Sequence, residues 1–94
     1  MKAKLKKYGY RDDFDWNTRF HLVSYVDNYR ISTVDLGIDH SFGFGKPLYY
    51  ETMIFNSEEE NKFEDYQERY STKDEAIIGH NKTIEYVKEK IKEI

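Results

Sequence analysis

A chain of 94 residues, 38% hydrophobic and 35% charged, has material for one modest core, and residues 1–94 are expected to form a single domain. Nine Tyr, six Phe and one Trp exclude a disordered composition, and the absence of cysteine excludes disulfides, thiolate metal sites and cysteine nucleophiles. The net charge of −3 disfavours direct nucleic-acid binding, and no apolar run is long enough for a transmembrane helix, so no membrane partner is expected.

Residues 1–11 carry five Lys/Arg and no acid. No apolar stretch follows them, so they read as a basic N-terminal arm, expected to be loose, and not as a signal peptide. Residues 12–17 are an acidic, aromatic lead-in with no assigned element. From residue 18 the pattern has period two. Over 18–26, Phe20, Leu22 and Val26 share one face, and Arg19, His21, Val23 and Tyr25 share the other. Asp27-Asn28 is turn chemistry, and 29–38 alternates again with Val34, Leu36 and Ile38 grouped together, so the two runs predict a β-hairpin. Residues 39–47 hold two Gly and the only Pro of the chain and predict a loop.

Residues 48–56 are rich in Tyr, Thr, Ile and Phe and predict a third strand with apolar residues on both faces, a hint of self-association. The polar stretch 57–65 includes Glu58, Glu59 and Glu60, and 66–70 predicts a short fourth strand. Thr72 and Glu75 have capping-box spacing. Ala76, Ile77, His80, Thr83, Ile84, Val87, Ile91 and Ile94 then recur at helical spacing, and Lys88, Lys90 and Lys92 suit the C-terminal end of the dipole. The spacing predicts a helix over 73–92, about 30 Å long, with Ile77, Ile84, Val87 and Ile91 packed on the sheet. The expected fold is α+β: an antiparallel sheet of three to four strands against one long C-terminal helix, in two layers.

Three segments form an ordered pattern: Ser32-Thr-Val-Asp-Leu-Gly-Ile-Asp-His40, then Leu48-Tyr-Tyr-Glu-Thr-Met-Ile-Phe55, then Arg69-Tyr-Ser-Thr-Lys-Asp-Glu-Ala-Ile-Ile-Gly-His80. The pattern resembles a group of small uncharacterised proteins encoded by phages and prophages, over residues 30–80. The chain departs from the commoner forms at Asp35, where a large apolar or aromatic side chain often sits, and by a longer acidic insertion at 57–65. The resemblance implies a phage or mobile-element setting, and with it the host bacterial cytoplasm. It implies no particular activity.

His40, Glu51 and His80 are the residues able to form a metal or acid–base site, but they lie in loop, strand and helix with no spacing that ties them to one face. The reading favoured for them is a hydrogen-bonded polar network, structural or lining a pocket, with no metal and no cofactor. Gly43-Phe-Gly45-Lys46 lacks the ending of a phosphate loop and leads into Pro47. Phe42 and Phe44 are either exposed anchors for a partner or plugs for the end of the core. Glu58, Glu59, Glu60 and Tyr66 form a candidate electrostatic surface for a basic partner. With no catalytic motif, the expected protein is not an enzyme. It acts by binding, as an inhibitor of a host defence component, either a protein or a signalling nucleotide. The alternative is a minor structural or assembly component of the phage particle, bound to phage protein or to copies of itself.

Overall fold

The computed structural model describes residues 10–56 and 62–93. Four strands, β1 (His21–Val26), β2 (Tyr29–Asp35), β3 (Tyr50–Asn56) and β4 (Gln67–Tyr70), form one sheet in the order β1-β2-β3-β4, and α1 (Lys73–Lys92) follows them. Every neighbouring pair is antiparallel. This is the α+β arrangement expected from the periodicities, with the helix at its expected bounds. The strands are shorter than the expected runs 18–26, 29–38, 48–56 and 66–70. No helix among the described residues is long and apolar enough to cross a membrane.

The β1–β2 turn closes in two residues because Val26 pairs with Tyr29 and Asp27 takes a positive φ of 51°. Aspartate tolerates that conformation because its short side chain bonds locally. The register then fixes the two faces. Leu22, Ser24 and Val26, Tyr29, Ile31, Thr33 and Asp35, and Tyr50, Thr52 and Ile54 lie on the side of α1. The alternate residues, among them His21, Val23, Tyr25, Arg30, Ser32, Val34, Glu51, Met53 and Phe55, lie on the other. For β2 this corrects the apolar grouping of Val34 with Leu36 and Ile38. Val34 is on the open side, and the buried face carries Thr33 and Asp35 among its four residues.

α1 starts at the expected capping box, with Thr72 Oγ1 accepting from the Glu75 N–H and the Glu75 carboxylate accepting from the Thr72 N–H, both at 3.1 Å. Its buried residues are Ala76, His80, Thr83 and Val87, one stripe along the helix. Ile77 was expected to pack on the sheet, but it sits at the edge of the contact and is 36% exposed. Ile84 and Ile91 do pack against the core, while Ile94 lies outside the described residues. The main cluster is Tyr29, Ile31, Ile54, Phe63 and Val87, with Phe63 edge-on to Tyr29 at 5.0 Å. At the other end Phe14 is buried between Tyr10 and Trp16 and against Gly37, whose φ of 75° and contact with the ring exclude any Cβ.

The mid-helix glycine has a packing cause. A Cβ on Gly79 would lie 2.2 Å from the hydroxyl of Tyr70. That hydroxyl donates to Thr52 Oγ1 at 3.1 Å, so the ring cannot withdraw without losing the bond. Gly79→Ala should therefore destabilise the protein by about 1–3 kcal/mol, although alanine is the better helix former by about 1 kcal/mol. Urea unfolding of the variant checks it, and a gain in stability would show that the contact does not constrain the helix.

Candidate functional site

Under α1 the hydroxyls form a chain. The Tyr70 hydroxyl donates to Thr52 Oγ1, which lies 2.5 Å from Thr33 Oγ1 directly across the β2–β3 pair. Thr33 Oγ1 lies 2.7 Å from His80 Nδ1, and His80 Nε2 lies 2.9 Å from Ser24 Oγ. Thr33 and Thr52 are fully buried, and His80 is 3% exposed. One assignment gives every group a partner: Tyr70 donates to Thr52, Thr52 to Thr33, Thr33 to His80 Nδ1, and the His80 Nε2–H to Ser24. The relay needs a neutral imidazole. Burial pushes the His80 pKa below its ordinary value, in the same direction. Burial likewise pushes the Tyr70 phenol up, against the Thr52 hydrogen bond, which keeps it a donor. Beside this chain the Thr83 hydroxyl donates to the Gly79 carbonyl and meets the Tyr66 hydroxyl at 2.9 Å.

Glu51 belongs elsewhere. It is on the opposite face of β3, where Arg69 Nε donates to it at 3.0 Å and Gln67 Nε2 at 2.8 Å. His40 is in the loop after β2, its backbone N–H donating to the Leu48 carbonyl at 2.9 Å. The three residues read together in the sequence are thus not one network: His80 and Glu51 sit in two hydrogen-bonded clusters on opposite sides of the sheet. Among the described residues no group of His, Asp and Glu is placed to hold a metal ion.

The loop carrying Phe42 and Phe44 is tied by Asp39. Its carboxylate accepts from the Leu48 N–H at 2.8 Å, the Ser41 N–H at 2.7 Å and the Ser41 hydroxyl at 2.9 Å. The backbone donors of Leu48 and Ser41 hold the Asp39 pKa below the usual carboxylate value. The Phe44 N–H returns to the Ser41 carbonyl at 3.1 Å, with Phe42 at φ 56° and Gly43 at φ 84° between them. Both central residues are left-handed, as in a primed turn, and for a phenylalanine that is a strained conformation. The turn leaves Phe42 82% and Phe44 83% exposed, so neither plugs the core.

Tyr66 is half-buried, its ring against Tyr86 at 5.3 Å, and it lines a cleft of about 420 Å³ between β4 and α1 together with Tyr70, Ile78 and Lys82. Glu58, Glu59 and Glu60 lie outside the described residues.

Besides Glu51–Arg69, a second ion pair was missed in the sequence. Asp35 is 4% exposed and is gripped by both terminal nitrogens of Arg11, whose Nε also reaches Asp13. Asp35 further accepts from the Gly37 N–H at 2.9 Å, and the Arg11 guanidinium lies 4.9 Å from the centre of the Tyr49 ring. Burial works against the charge on Arg11, but the hydrogen bonds to Asp35 and Asp13 outweigh it and hold its pKa above the normal value. The end of the basic arm is therefore not loose: the Arg11 N–H donates to the Gly37 carbonyl at 2.7 Å, and Tyr10 bridges to Ile38. Residues 1–9 lie outside the described residues. The signal for the pair was Asp35 itself, an acid in phase with Tyr29, Ile31 and Thr33 that needs a cation if that face is buried.

No family model, curated protein or solved structure matches the chain.

The neutral relay has a pH consequence. The folded His80 pKa lies below the ordinary 6.5, so the unfolded chain binds a proton that the folded one refuses. Stability from this group is complete above the unfolded value and is lost as pH falls from there through the folded value. The melting temperature should fall between pH 7.5 and 5.5 in the wild type (a window set by the ordinary histidine value) and fall less in His80→Ala. At neutral pH the variant should lose about 1–3 kcal/mol by leaving buried hydroxyls unpaired. Equal pH slopes in the two proteins would show that folding leaves the His80 pKa unshifted and that the relay does not hold the imidazole neutral.

Proposed function

We propose that the protein acts by binding, as a small accessory protein of a phage or mobile element that occupies a surface of a host macromolecule. A protein component of a host defence system is the first choice of partner. The observation that carries this reading is the pair Phe42 and Phe44, more than four-fifths exposed at the tip of a loop whose base is tied by Asp39. Two such rings have a hydration cost that a partner's surface would remove, and a strained turn is maintained where the surrounding structure over-determines it. A loop already held in shape also loses little freedom on docking. The buried acids and the buried imidazole support a non-catalytic reading, because each is engaged in holding the fold: Asp35 with Arg11, Glu51 with Arg69, and His80 with Thr33 and Ser24. The acidic run Glu58, Glu59 and Glu60 would steer association with a basic partner.

The test is phage plaquing on hosts that carry single defence systems, with and without this gene. The wild-type protein should restore plaquing on at least one host. The double variant Phe42→Ala/Phe44→Ala should lose the effect while keeping its melting temperature, because removing an anchor of this kind costs about 2 kcal/mol or more, over tenfold in affinity. Stoichiometric copies in purified virions, with no effect on any defence system, would replace this reading with the assembly one.

A further inference from the structure

The face of the sheet away from α1 carries a row of three residues set side by side across β1, β2 and β3. Tyr25 is paired in register with Arg30, and Arg30 with Phe55. At about 4.8 Å between strands, the backbones of Tyr25 and Phe55 stand roughly 10 Å apart with that of Arg30 between them. Arg30 lies 4.5 Å from the centre of the Phe55 ring, while Tyr25 is 70% and Phe55 37% exposed. Two adjoining depressions, of about 270 and 490 Å³, share Arg30 and Phe55. The first continues to Arg19 and His21, the second to Asn28.

Charge decides between occupants. Among the described residues four charged side chains are placed on this face, and Arg19, Arg30 and Arg69 are positive. The one acid among them, Glu51, is committed to Arg69 and Gln67. Arg19 and Arg30 have no carboxylate partner among the described residues; Arg19 instead lies 5.2 Å from the Trp16 ring. The described part of this face is therefore positive in a chain whose net charge is −3. A second copy packed on this face by a twofold axis would bring like charges together. A polyanion with flat faces suits it better, since bases stack on rings and guanidinium planes while phosphates meet arginine.

We propose that this open sheet face binds single-stranded nucleic acid, with Tyr25 and Phe55 as stacking platforms and Arg19 and Arg30 meeting the phosphates. The site is separate from the Phe42–Phe44 loop, and the two readings stand or fall independently.

The test is fluorescence anisotropy of the full chain with labelled oligothymidine and oligouridine of about 12 nucleotides, between about 50 and 200 mM salt. Saturable binding that weakens with salt is expected. Tyr25→Ala and Phe55→Ala should each weaken it by about 5- to 100-fold, and Tyr25→Trp should preserve it. Arg30→Gln should reduce the salt slope by about 0.7. Phe42→Ala/Phe44→Ala should change nothing. Because Tyr25 is mostly exposed, its variants should keep the wild-type melting temperature. Three results would overturn the proposal: no saturable binding at roughly 100 µM protein in the lowest salt; inorganic polyphosphate competing as well as the oligonucleotide, with Tyr25→Ala silent; or a dimer in sedimentation equilibrium that Tyr25→Ala dissociates and that excludes the oligonucleotide.

Discussion

The contact between α1 and the sheet depends on hydroxyl groups being paired with one another. Thr33, Thr52 and Thr83 are almost fully buried, and a buried hydroxyl without a partner costs about 1–3 kcal/mol. His80 resolves this by presenting one acceptor and one donor nitrogen, linking Thr33 on β2 to Ser24 on β1. Tyr70 closes the other end through Thr52, and its ring in turn requires Gly79. Helix, all four strands and the mid-helix glycine are thus held in one register by a single relay. An apolar stripe would bind the helix as strongly but would fix its rotation less, since dispersion has no direction.

Satisfying the interior this way leaves much of the aromatic content for other places. Phe63, Tyr29, Tyr66 and Tyr86 gather at one end of the helix, and Phe14, Tyr10 and Trp16 at the other, around Gly37. Phe42, Phe44 and Tyr25 remain largely in water, and Trp16, Tyr86 and Phe55 in part. Exposed rings in a chain whose core is half polar are a cost to stability that function can explain. The Phe42–Phe44 loop and the Tyr25–Phe55 row differ in character. One is an apolar loop tip without a charge between its two rings. The other is a row in which an arginine separates the rings. The first is the surface proposed for a protein partner, and the second the one proposed for a flat anionic ligand.

Much of the fold could be read from the residues. The capping box at Thr72 and Glu75 and the end-weighted lysines specify α1 by local bonds alone, and its bounds agree with the structure. The two-residue turn at Asp27-Asn28 is local as well, and it sets the β1–β2 register. The phase of β2 was harder. Val34 is apolar yet faces outward, while Asp35 is charged yet faces inward, because Arg11 reaches it from 24 positions away. Periodicity assumes that inward means apolar, and a buried ion pair breaks the assumption. Ile77 misled for a related reason: the helix is rotated so that His80 reaches Thr33 and Ser24 on the strands, and Ile77 is left at the rim.

For the site residues the division is sharper. Local chemistry in the chain already marked Phe42 and Phe44 as aromatics among glycines and His80 as a polar residue in a helix stripe. Whether the rings were buried or offered to solvent depended on Asp39 tying residue 41 to residue 48, a closure over distance. Whether His80 and Glu51 met depended on strand register, since a shift of one residue exchanges the faces of a sheet. Composition, caps and turns act between neighbours and are therefore written in the sequence. Which buried donor finds which acceptor, and which face stays open with Tyr25, Arg30 and Phe55 aligned, is decided only when distant segments compete for the same partners in three dimensions.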